Sequence, residues 1–242
     1  MSRPPRIELR SVRIRIGNVE IVRNASAVLL ESELTVLCGR VGSGKTVLAQ
    51  TIAGIRTPEQ GVIHRNGSRI AMVFQQARHG LLGETVQEDL ELAALSAGKT
   101  HDRKKDTIRD VLANLGISHL AHRYVVNLSG GEARLVAIAG AIVSGADVVF
   151  ADEPFANLDW PSVQSVLRAL LRLREEGATV VVITHEVEKI LAHADRIIVL
   201  SNGRFALNRV LMTGDDLSHT ERGVLRDAGV RLLGTRRAQT WI

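Results

Sequence analysis

The sequence predicts an α/β fold: a mixed, largely parallel core sheet, an N-terminal antiparallel β layer, and a helical subdomain inserted between the halves of the core. Three observations predict it. Short apolar runs at Leu34–Leu37, Val148–Ala151 and Thr179–Thr184 are each followed by a helix-period segment, which makes strand–helix–strand units in series and so a parallel sheet. Alternating segments between residues 6 and 37 precede that sheet. From Gly83 to about Ala141 the pattern is helical.

Taken in order, Ile7–Ile16, Glu20–Val22, Ala27–Leu30 and Leu34–Leu37 read as strands, the first two separated by the turn residues Gly17-Asn18. In the first, Val12, Ile14 and Ile16 alternate with Arg13 and Arg15, the pattern of a half-buried strand that shows its arginines to water. A helix is expected over Lys45–Ile55, stopped by Gly54 and Pro58. A strand pair, Gly61–Arg65 and Arg69–Phe74, follows around the turn signal Asn66-Gly67. Thr85 and Glu88 form a capping box ahead of Leu90, Leu92 and Leu95. Ile108, Val111, Leu112 and Leu115 mark a helix over Asp102–Leu115 that ends at Gly116. Further helices are expected over Ala133–Ala141, Ser162–Glu176 and Glu186 to about His193, with a strand at Arg196–Leu200. Residues 203–242 show no sharp pattern.

The chain has 242 residues, 45% of them hydrophobic and 24% charged, enough to bury a sizeable core. Aromatics reach only 3%: Phe74, Tyr124, Phe150, Phe155, Trp160, Phe205 and Trp241. That scarcity argues against single-strand or RNA binders that stack bases on aromatic platforms. The single cysteine, Cys38, excludes an intramolecular disulfide and any multi-cysteine metal site, and suits a reducing compartment. The longest apolar region, Ala133 to Ala151, is broken by Arg134, Ser144, Gly145 and Asp147, so the chain is not expected to span a membrane. Net charge is +5, unevenly placed: +4 over residues 1–23, +3 over 203–242 and −2 between. The basic excess at the ends suits a solvated surface better than a nucleic-acid patch.

Gly39-Arg40-Val41-Gly42-Ser43-Gly44-Lys45-Thr46 fits the phosphate-loop pattern, and it lies between a strand and a helix as that pattern requires. Its glycines let backbone N–H groups converge on phosphate oxygens, the helix presents its positive end, Lys45 adds charge, and the Thr46 hydroxyl suits Mg²⁺. Val148–Ala151 runs into Asp152 and Glu153. An acid at the carboxyl edge of a parallel sheet sits where ligands bind, so Asp152 suits the metal and Glu153 the water that attacks a γ-phosphate. Leu128-Ser129-Gly130-Gly131-Glu132 precedes a helix and supplies a second anion device, from the Ser129 hydroxyl and the N–H groups of Gly130 and Gly131.

With two such devices in one chain, the sequence resembles the ATP-binding-cassette (ABC) ATPases over roughly residues 6–205. In that family two subunits sandwich ATP between the phosphate loop of one and the Leu-Ser-Gly-Gly signature of the other. The resemblance implies ATP and Mg²⁺ as cofactors, ATP hydrolysis, and further site residues in family order. Gln75 stands at the position that contacts Mg²⁺ and attacking water, Asn157-Leu158-Asp159 in the loop that crosses the dimer interface, and His185 at the γ-phosphate switch. The adenine-stacking aromatic of the family falls on Ile16, which has no ring, a loss of about 0.5–1.5 kcal/mol of aromatic contact. One domain over 1–242 is implied: 6–77 and 142–205 as nucleotide-binding core with its antiparallel layer, 78–141 as helical signature subdomain, and 206–242 as a C-terminal tail.

The resemblance also implies partners: a second ABC ATPase subunit and an integral membrane transporter subunit, with this chain peripheral to the cytoplasmic face of the cell membrane and no nucleic acid expected. Leu82–Asp89 and Val136-Ala137-Ile138-Ala139-Gly140 look like the ATPases of energy-coupling-factor importers and their cobalt or nickel relatives, since most cassette ATPases carry Arg where Gly140 stands. Another importer, an exporter, or a soluble cassette ATPase acting on nucleic acid or ribosomes are the alternatives.

Overall fold

The computed structural model describes residues 3–96, 98, 101–212 and 215–230; the side chains of Arg103-Lys104-Lys105 and the whole of Trp241 lie outside what is described. Strands β1 (Pro5–Ile16) and β2 (Val19–Leu30) form a long antiparallel hairpin. Its register shifts between Leu9 and Val12 and again between Val12 and Ile14, beside Ser11 (φ 51°) and Asn24 (φ 54°). The bulge at Asn24 is why Glu20–Val22 and Ala27–Leu30 read as separate strands: one extra residue flips the alternation without ending the pairing.

β3 (Leu34–Cys38) leads into α1 (Lys45–Ile52). β4 (Gln60–His64) and β5 (Ile70–Val73) follow, but they do not pair across Asn66-Gly67 as the turn signal suggests. Both turn residues have positive φ, yet β4 adds to β1 whereas β5 joins the core sheet, held by the Asp147 carboxylate accepting from the Arg69 N–H at 2.8 Å. The helical stretch contains α2 (Val86–Ser96), α3 (His101–Asn114) and α4 (Gly130–Val143). The Thr85/Glu88 capping box forms as the sequence indicates.

β6 (Val148–Asp152), α5 (Trp160–Glu175), β7 (Thr179–Thr184) and β8 (Arg196–Ser201) complete the parallel part. Between β7 and β8, residues 187–193 form two 3₁₀ turns rather than the expected helix. The Thr184 hydroxyl takes the Glu186 N–H at 3.0 Å, and Val187 and Ile190 are fully buried, so side-chain burial sets this path. β9 (Arg204–Val210), antiparallel to β8, and α6 (His219–Asp227) occupy the region without a sharp pattern. The α6 start, Ser218 with Glu221, is a capping box that was readable from Ser-x-x-Glu alone.

Core sheet order is β5-β6-β7-β3-β8-β9, against β2-β1-β4 in the other sheet. Every residue of β3, β6 and β7 is buried, because both faces are covered. Val36, Val149, Ala151, Val180 and Val182 point into a core shared with α4 and α5, while Leu37, Phe150, Val181 and Ile183 point into one shared with β1, β2 and α1. Five strands therefore bring their carboxyl ends to one edge. Among the described residues no helix is long and apolar enough to cross a membrane.

Candidate active site

The loop after β3 is shaped by what lies against it. A Cβ on Gly39 (φ 148°) would stand 2.2 Å from the Leu200 carbonyl oxygen, and one on Gly44 (φ 98°) 2.5 Å from Cγ2 of Ile21. Strand β8 and the hairpin thus press the loop into a tight cradle that only glycine permits. Gly44 is the N-cap of α1 and offers no side-chain acceptor, so the first N–H groups of α1 remain for an anion. The Ser43 hydroxyl is buried and has no hydrogen-bond partner among the described residues, as expected of a group kept for a ligand oxygen.

Lys45 is almost fully buried, and its Nζ donates to the carbonyls of Gly39 (2.8 Å) and Arg40 (3.0 Å). Burial lowers its pKa, opposed by the nearby carboxylates of Glu153 and Asp152. Thr46 Oγ1 donates to Asp152 Oδ2 at 2.7 Å. Burial raises the Asp152 pKa, with the Thr46 bond pulling the other way. Cys38, beneath the loop, is an inert buried thiol pushed up to about 12.

Glu153, one residue beyond Asp152, has φ +46° and so turns its side chain to a different side. Its Oε1 shares a 2.7 Å hydrogen bond with His185 Nδ1, and Oε2 accepts from Thr184 Oγ1 at 3.1 Å. Lys45, Thr46, Asp152, Glu153 and His185 therefore converge at the ends of β3, β6 and β7. Gln75 is exposed just past the end of β5. Ile16 closes β1 and is 41% exposed, at the hairpin end from which Ile21 reaches the loop.

The signature turn is a separate construction. Ser129 caps α4: its Oγ accepts from the Glu132 N–H at 3.2 Å, while the Glu132 carboxylate accepts from the Ser129 N–H at 2.6 Å and from Arg123 at 3.1 Å. The Ser129 bond is the main reason the Glu132 pKa is lowered. Gly130 and Gly131, in the first helical turn, lack intrahelical acceptors for their N–H groups. A Cβ on Gly131 would stand 2.8 Å from Ser162 Oγ, so α5 packs directly against the turn. Asp159 caps α5 through the Ser162 N–H at 3.3 Å.

Residues 22–156, more than half of the chain, match the family model described as ABC transporter. The chain belongs to the ABC transporter ATP-binding family. A putative ABC transporter ATP-binding protein of Halobacterium salinarum is 33% identical over 93% of this chain and 99% of its own length. The aliphatic sulfonates import ATP-binding protein SsuB of Granulibacter bethesdensis is 34% identical, covering 87% of this chain and 86% of that one. The cobalt import ATP-binding protein CbiO of Rhodobacter capsulatus is 33% identical over 78% and 72%. Among solved structures, cbiO1 of Clostridium perfringens, part of the ABC transporter complex cbiONQ, superposes with a TM-score of 0.77 at 25% identity, covering 85% of this chain and 88% of that one. As an ABC ATPase the chain binds and hydrolyses ATP, and ABC ATPases work as dimers with membrane transporter components.

The sequence reading missed several residues that shape the site. Ile21 and Leu200 press on the loop glycines, Gly229 packs against Arg40 of the loop, and Arg134 and Arg78 bind the signature region. Arg134 carried a signal, a charge inside an apolar helix; the others carried none, since each depends on a close approach between distant strands and loops.

Proposed function

We propose that this ABC ATPase energises an energy-coupling-factor-type importer of a vitamin or metal ion by closing on ATP with a second ATPase subunit. The observation that carries the ATPase chemistry is the convergence of Lys45, Thr46, Asp152, Glu153 and His185 at one sheet edge, with Thr46 to Asp152 at 2.7 Å and Glu153 to His185 at 2.7 Å. In this reading Gly39, Gly42, Ser43 and Gly44 cradle the phosphates, and Lys45 exchanges the Gly39 and Arg40 carbonyls for β- and γ-phosphate oxygens. Glu153 orients water and accepts its proton as the γ-phosphoryl group transfers, held by Thr184 and by His185, whose Nε2 is left to contact the γ-phosphate.

Thr46, Asp152 and Gln75 fit Mg²⁺: all offer oxygen, and a buried carboxylate whose charged form is penalised gains most from a cation. The metal, when bound, neutralises charge on the phosphates. Ser129, Gly130, Gly131 and Asp159 serve the second subunit's nucleotide, and Ile16 supports adenine. No nucleic-acid partner is proposed: Arg10, Arg13 and Arg15 on β1 are paired with Glu8, Glu20 and Glu59.

The membrane subunit docks on a groove of about 290 Å³ between α2 and α4, beside the Gln75 segment. Met72, Phe74, Leu82, Leu92, Ala137 and Gly140 line it. Leu82 is 81% exposed, and among the described residues only Leu90 and Ala93 approach a Cβ built on Gly140, at 3.9 and 4.0 Å, so an arginine there would fill the groove. That favours a helix of the subgroup in which position 140 is small; in this reading the chain works peripherally, at the cytoplasmic face of the membrane.

Co-purification from membranes tests this. Recovery of a multi-span membrane protein with the parent chain and its loss with Gly140→Arg, at unchanged ATP affinity, supports the reading; recovery of nucleic acid instead would overturn it.

A further inference from the structure

Arg134 is 6% exposed, on the buried side of α4, yet carries a full charge. Its acceptors are three main-chain carbonyls: Gly130 from Nη1 at 3.2 Å, and Ala156 and Gln75 from Nη2 at 2.8 and 3.3 Å. Nε is buried without a partner among the described residues. Keeping a guanidinium in this setting is costly, and a methionine would fill the same volume without the charge. The three carbonyls belong to the glutamine segment after β5, the signature turn, and the loop that leads to Asp159. These segments are remote in sequence, and the Arg134 guanidinium bonds all three.

Two other contacts bind the same segments. Arg78, on the 3₁₀ turn Ala77–Gly80, donates to the Leu128 carbonyl just before the signature. Leu158 and Ser162 stand against Gly130 and Gly131, 3.6 and 2.8 Å from where their Cβ atoms would be. On the other side, Phe74 and Ala77 flank Gln75 and line the groove between α2 and α4.

We propose that Arg134 is a positioning residue that locks the glutamine segment, the signature turn and the crossing loop into one moving unit. Displacement of the groove wall by a docked membrane subunit is thereby delivered to the surface that faces the second subunit's ATP. The delivery half of this rests on the function proposed above; the locking half does not. Arg134 touches no reacting atom, so it acts through the geometry of others.

The test uses the purified full chain as parent, Arg134→Met and Arg134→Lys. Arg134→Met is expected to keep its ATP affinity and KM within about twofold while kcat falls at least about tenfold, because the phosphate loop is untouched. Amide exchange in residues 75–80 and 156–159 should accelerate about tenfold with that in β6 unchanged. Arg134→Lys, which can still reach one or two carbonyls, should recover part of both. A kcat within about twofold of the parent, or a parallel loss of kcat, ATP affinity and β6 protection, overturns the proposal. If the parent itself does not hydrolyse ATP, the ATPase reading falls, and the exchange measurement still decides the lock: unchanged exchange at 75–80 and 156–159 in Arg134→Met overturns it.

Discussion

Glu153 and His185 share a 2.7 Å hydrogen bond from the end of β6 to the end of β7, and Thr184 holds the second carboxylate oxygen at 3.1 Å. Both oxygens of Glu153 are thus fixed by the strand next to its own. Removing the imidazole frees one of them. His185→Ala is expected to lower kcat by about 100-fold with ATP affinity little changed, measured by steady-state hydrolysis and nucleotide titration. A fall in affinity with kcat unchanged would restrict His185 to ground-state binding.

The metal role proposed for Asp152 predicts an acid limb of activity. Burial raises its pKa, so the folded chain holds this proton more firmly than the unfolded chain does, and protonation removes a metal oxygen. Activity should therefore fall on acidification at a pH above the ordinary carboxylate range, and added Mg²⁺ should shift that limb downward. The raised folded value means this group's contribution to stability is present at low pH and is lost as pH rises through it. Acid inactivation should accordingly precede unfolding when rates and circular dichroism are followed together.

The two pressed glycines of the phosphate loop differ in what presses them. Gly39 faces a main-chain carbonyl, which cannot step aside, whereas Gly44 faces the end of the Ile21 side chain. Gly39→Ala should cost stability at the upper end of about 0.5–3 kcal/mol in urea denaturation. Gly44→Ala should be partly rescued by Ile21→Ala, with a coupling of at least about 0.5 kcal/mol in the double-mutant cycle.

At the proposed adenine contact, Ile16 offers no ring. Ile16→Phe should tighten ATP about threefold to tenfold, the worth of one aromatic contact, and leave inorganic triphosphate binding unchanged. Equal tightening of both ligands would move the adenine elsewhere.

Short-range patterns made much of this chain legible. The phosphate loop, the acids after Val148–Ala151 and the Ser129 turn are each written in consecutive residues, and the capping box of α2 follows from Thr85 and Glu88, three apart. Fully buried strands announce themselves as apolar runs, which is why β3, β6 and β7 fall where expected. What escaped was decided at long range. Asn66-Gly67 makes its turn, but competition from β1 and β6 separates the two strands. β9 alternates strictly in burial, but as an edge strand it exposes Ala206 and Val210 and half-buries Arg209, so its residue types hide the period, and the bonds of Arg134 depend on a packing that spacing does not encode.

Glu153 is the proposed base of a site completed by a second subunit. The most direct measurement is sedimentation of Glu153→Gln with and without MgATP, alongside its hydrolysis rate. The account predicts an ATP-dependent dimer and a rate lowered by about 100-fold or more. A Glu153→Gln chain that stays monomeric in MgATP and hydrolyses it at the parent rate would contradict it.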